Sequence, residues 1–195
     1  MGASDLWNNF GYYGAKGITG AEALAYEINR VVHESGISSP VTTKRGLSAR
    51  LRYLDSAAGR DAMREQGITD RALKSWMSGK ASPSRASREK LDSAYWTRRR
   101  ENLIRSGQLK KLLDNNGAGR RMEIFPIDQS QVVTGRVRPN VTERSISVRY
   151  LWNDMVDAWA AKDLEALDEV WDDIICDLDS DYAAYAYVSA VSIGV

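Results

Sequence analysis

Arg71 and Lys74 stand three residues apart, with Ser75 beside them, just after the run Gly67-Ile68-Thr69-Asp70. A guanidinium and an ammonium offered from one short helix can donate to O6 and N7 of guanine, and a neighbouring hydroxyl or carboxylate can refine the choice of base. Such a helix must enter a duplex groove, so cations are also needed around it to hold phosphate oxygens and set the register. Lys44, Arg45, Arg60, Lys80 and Arg85 fall in the flanking sequence where that rim would lie. Asp70 is the misfit, because a carboxylate facing phosphates is costly unless it caps the helix or accepts from a cytosine amino group. Capping is its expected role.

The elements that must present these side chains are legible between Gly59 and Gly79, a span that reads as a helix-turn-helix. Two helices that cross steeply need a small residue at the crossing, supplied by Ala62, and a residue tolerant of positive φ at the turn, supplied by Gly67. Ile68 plugs the turn. Thr69 is suited to cap the second helix, and Leu73 with Trp76 face the first. Asp70, Arg71, Lys74 and Ser75 are left outward, at the N-terminal end of a recognition helix. The run from Trp76 through Gly79-Lys80 to Pro83 resembles the phage-repressor type of helix-turn-helix. The competing structural reading is a plain three-helix bundle whose turn has this composition.

Charge is segregated along the 195 residues: the net is −2 over residues 1–40, +13 over 41–150 and −10 over 151–195, giving +1 overall. A basic middle beside an acidic end predicts a nucleic-acid-binding region joined to a differently tasked one. The expected domains are an N-terminal arm and helix (1–40), a helix-turn-helix domain with a long basic helix (41–116), and a small α+β domain with an acidic C-terminal helix (117–195). The fold class is therefore mostly α with an α+β C-terminal part, in which a small sheet is packed by two helices.

Individual elements follow from spacing. Thr19-Gly20-Ala21-Glu22 has capping-box spacing ahead of a helix ending near Gly36, and residues 36–43 have linker composition. Helices are predicted over 47–57, 59–66, 70–78 and after Pro83, with a break at Gly107. Strands are predicted at 122–127, 131–137, 144–148 and 182–195, with two helices before the last of them. The stripe Leu164, Leu167, Trp171, Ile174 and Ile175 would be the inner face of the second of these helices. The acidic side chains around it read as a solvated face, the alternatives being a cation site and a surface for a basic partner or second copy.

Beyond the motif, the order of elements resembles the telomere-associated terminal proteins of linear actinobacterial chromosomes and plasmids. The resemblance is carried by Arg52-Tyr53-Leu54, the helix-turn-helix, the basic helix with Arg98-Arg99-Arg100, and Val141-Thr142-Glu143-Arg144-Ser145-Ile146 followed by two helices and a strand. It implies that a side-chain hydroxyl accepts the first deoxynucleotide while a polymerase supplies the metal ions. Thr142 is the position matched to that hydroxyl, with Thr134 and Ser145 as rivals. The resemblance implies a DNA polymerase or another replicon-end protein as partner, beside the double-stranded DNA expected from the helix-turn-helix and the homodimer expected of a regulator.

Other chemistries find little support. No Gly-x4-Gly-Lys-Ser/Thr loop is present, and a lone His33 cannot build the histidine-rich sites in which a tyrosine nucleophile works. One cysteine, Cys176, makes no internal disulfide and reads as a buried thiol. No enzyme active site, cofactor or metal is expected. No apolar run is long enough to span a membrane and the N-terminus has no signal-peptide pattern, so a cytoplasmic, nucleoid-associated protein is expected. Three readings stand: a replicon-end DNA-binding protein, a transcriptional or plasmid-control regulator, and an assembly component with a vestigial helix pair.

Overall fold

The computed structural model describes residues 18–127, 135, 143–178, 185 and 187–194. Thr134, Thr142 and the strand expected at 131–137 lie outside the described residues. Among the described residues the chain is mostly helical with a small four-stranded antiparallel sheet. It divides into two compact units, residues 32–106 and residues 1–31 with 107–195.

The first of these units begins inside helix α1 (Gly20–Glu34) and contains α2 (Lys44–Tyr53), α3 (Ala57–Glu65), α4 (Asp70–Met77) and α5 (Arg85–Arg105). Each of the last four starts at a hydroxyl: Thr43, Ser56, Thr69 and Ser84 accept from Gly46, Gly59, Ala72 and Ser87 backbone N–H groups. These caps satisfy donors that a helix cannot satisfy itself, which sets where each begins. Thr43, expected as linker, is thus the cap of α2, which starts three residues early and ends at Tyr53. The cause is local, since a threonine before a basic run can be turn or cap until its acceptor is known.

Leu54, Met63, Leu91, Ala94 and Tyr95 form the centre of the core here. Arg50 is buried beside them, with Nε donating to Asp92 and Nη1 donating to Ser39 and Gly46 carbonyls at 2.7 and 3.2 Å. A buried guanidinium is tolerable only when so paired, and it ties α2 to α5. His33 is exposed and stacks on Trp96 with ring centroids 4.5 Å apart.

The other unit holds strands β1 (Ile18–Thr19), β2 (Arg120–Ile127), β3 (Arg144–Val148) and β4 (Tyr187–Ile193) in the order β1-β4-β2-β3. Helices α6 (Gln108–Asp114), α7 (Trp152–Ala161) and α8 (Leu164–Cys176) accompany most of α1 here. The capping box at α1 is present: Thr19 N donates to Glu22 at 3.0 Å and Glu22 N to Thr19 Oγ1 at 3.2 Å. Thr19 also pairs with Tyr187 in the sheet, so the N-terminal helix joins the C-terminal strands instead of standing alone. A two-residue strand carries no alternation, which is why the sequence did not announce β1.

Met122, Ile124, Val191 and Ile193 are buried and share one face of the sheet, while Arg121 and Ser145 point to the other. Trp171 lies against Gly20, where an added Cβ would sit 2.1 Å from the indole, and its Nε1 donates to Tyr185 O at 3.0 Å. Two expectations are corrected in α8. Leu164 is 51% exposed: it is the first helical residue, directly after the cap Asp163, and the buried stripe begins a turn later at Leu167. Cys176 is exposed at the last helical position, not buried.

Candidate nucleic-acid interface

The turn between α3 and α4 is built by backbone bonds. Ile68 N donates to Met63 O at 2.9 Å and Gly67 N to Arg64 O at 2.8 Å, a Schellman arrangement closed by Gly67 at φ +74°. A side chain at that φ would be strained, so glycine is what lets the chain reverse there. Ile68 and Ala62 are buried as the motif requires, Leu73 is buried, and Trp76 is half-buried against the same core.

Thr69 is the cap of α4, its Oγ1 accepting from Ala72 N at 3.2 Å. Asp70 therefore does not cap. Its Oδ2 instead accepts from Arg64 Nη2 at 3.0 Å, while Arg64 Nη1 donates to Asp61 at 2.6 Å. With the cap position taken by Thr69, Asp70 falls at the first helical residue, where its carboxylate projects towards the preceding helix. The Asp70 hydrogen bond and charge raise the Arg64 guanidinium above its ordinary value. Arg64, Asp61 and Asp55 were not singled out from sequence; the Asp61-x-x-Arg64 spacing was the available signal.

Asp70, Leu73, Lys74 and Met77 line a groove against Asp55, Arg60 and Arg64, with a volume of about 200 Å³. Arg60 sits 3.4 Å from Asp55. Of the expected site residues, the groove gathers Arg60, Asp70 and Lys74. Arg71 is exposed and Ser75 half-exposed on the neighbouring row of the same helix. Lys80 follows a second Schellman turn at Gly79, its N–H donating to Ser75 O at 3.0 Å, and is exposed.

Lys44 and Arg45 are exposed at the start of α2, and Arg85 at the start of α5 pairs with Glu89 at 3.1 Å. Arg88 donates to Thr42 O at 3.2 Å, which brings those two helix starts together as a basic cluster outside the groove. Residues 32–106 carry 16 basic and 8 acidic side chains, a net of +8, against −7 for the remainder.

In the sheet, Ser145 Oγ accepts from Arg121 at 2.7 Å. Among the described residues no group of three His, Cys, Asp or Glu side chains gathers as a metal site, and no helix is long and apolar enough to cross a membrane. Comparison with protein-family models, curated proteins and solved structures finds no match to this chain.

Proposed function

We propose that residues 32–106 bind double-stranded DNA, with α4 as the recognition helix in the major groove. The observation that carries the reading is α4 itself: a capped helix after a glycine turn, with Arg71 exposed in its first turn and Lys74 exposed at the start of its last turn, in a unit of net charge +8. Arg71 is assigned to guanine and Ser75 to its neighbour, with Lys74 beside them. Lys44, Arg45, Lys80 and Arg85 are assigned to phosphates, which carry no sequence information but hold the helix in register.

The resemblance to terminal proteins supports a place at replicon ends, with a polymerase as partner and Thr142 as acceptor hydroxyl. A regulator binding an internal operator as a dimer is the alternative.

The test is binding of the full chain to random genomic duplexes at several salt concentrations, with sequencing of what is retained. A steep salt dependence with enrichment of one sequence is expected. Location of that sequence at an end or before a promoter chooses between replication and regulation, and absence of binding at low salt overturns both.

A further inference from the structure

The groove between α3 and α4 has a chemistry at Asp55, Arg60 and Met77 that duplex binding leaves unused. Its volume of about 200 Å³ is that of about seven waters. That is small for a drug-sized ligand and suited to one planar heterocycle. Its lining combines acceptors, Asp55 and Asp70, with donors, Arg60 and Lys74, beside the apolar Leu73 and Met77. Met77 is 44% exposed, and a thioether is a favourable neighbour for an aromatic ring.

A phosphate is a poor match. Asp55 already faces Arg60 at 3.4 Å and Asp70 faces Arg64 at 3.0 Å, so an anion would meet two carboxylates, with Lys74 the one lining cation outside these pairs. A neutral ring with donors and an acceptor along one edge meets no such penalty. Guanine has that edge: N1–H and N2–H donate to a carboxylate while O6 accepts from a guanidinium. In a duplex its N1–H and N2–H are held by cytosine, so only an unpaired guanine can offer the whole edge.

We propose that this groove binds an unpaired guanine of the DNA, with N1–H and N2–H donating to Asp55 and O6 accepting from Arg60. The inference rests on the DNA-binding reading and adds a preference for DNA containing an unstacked base.

The test uses the full chain and three duplexes of one sequence: fully paired, with a single bulged guanine, and with an abasic residue in the bulge. The bulged guanine is expected to bind about tenfold tighter than the abasic bulge. Asp55→Asn should abolish that preference while retaining affinity for the paired duplex, and Met77→Ala should reduce it. Equal affinity for the two bulged duplexes overturns the guanine site and leaves duplex binding standing. A preference that survives Asp55→Asn overturns the assignment of that carboxylate. Failure to bind any of the three at low salt overturns the DNA-binding reading and the site with it.

Discussion

Arg64 Nη2 donates to Asp70 Oδ2 at 3.0 Å, joining the last turn of α3 to the first residue of α4 across the helix-turn-helix. The side chains are each about half exposed, so the pair is solvent-screened and its main effect is on the charge presented beside α4. Arg64 is held by two carboxylates, and Asp70 adds negative charge to the face assigned to DNA.

Asp70→Asn should therefore strengthen binding to all duplexes at low salt and steepen the salt dependence by about one phosphate contact. The thermal midpoint should stay within error of the wild type. A salt titration checks this; an unchanged slope would place Asp70 outside the interface.

Arg71→Ala and Lys80→Ala should differ in kind. The first should cost about 1–3 kcal/mol on the preferred sequence and little on others, as loss of a base contact does. The second should weaken all sequences alike and lower the salt slope by about one. Competition binding against scrambled duplex separates them, and equal losses on every sequence for Arg71→Ala would show the docking to be wrong.

Gly59→Ala tests how α3 is seated. Replacing glycine by alanine within a helix ordinarily stabilises by about 1 kcal/mol. At Gly59 the new Cβ would stand 2.4 Å from Leu54 O and 2.7 Å from Leu54 Cα, both backbone atoms that cannot swing away. The sign reverses, and urea unfolding should show a loss of about 1–3 kcal/mol, as overpacking costs.

Tyr95 sets a pH dependence. Burial raises its phenol above the ordinary value of 10.0, and its oxygen accepts from Ile37 N at 2.8 Å. The unfolded chain releases this proton at a lower pH than the folded one, so stability from the neutral phenol is full below pH 10 and lost as pH rises above it. Tyr95→Phe should make alkaline unfolding less steep, while costing about 1 kcal/mol at neutral pH through the lost acceptor. Equal alkaline slopes in the two proteins would remove Tyr95 from the transition.

Much of the local structure was legible in residue types. Thr19 with Glu22, Gly67 before Ile68, and Thr69 before Asp70 are motifs whose partners lie within five residues, and each forms as its spacing predicts. The misplacements have a common source. Thr43 as linker or cap, Asp70 as cap or first helical residue, and Leu164 as core or helix end are each compatible with the local sequence. Thr43 proves to be a cap itself, while Asp70 and Leu164 each follow the residue that takes the cap position.

The sequence by itself determined the mostly helical class, the helix pair around Gly67 and the separation of basic from acidic regions, because caps, turns and periodicity act over a few residues. Only the tertiary structure decided that the first helix belongs with the last strands, through the pairing of Thr19 with Tyr187. It alone also brought Asp55 and Arg60 together with Lys74 and Met77 around one groove. Those partners are joined by packing and strand pairing across the chain, and no periodicity within a single segment specifies which distant segment will complete a pair.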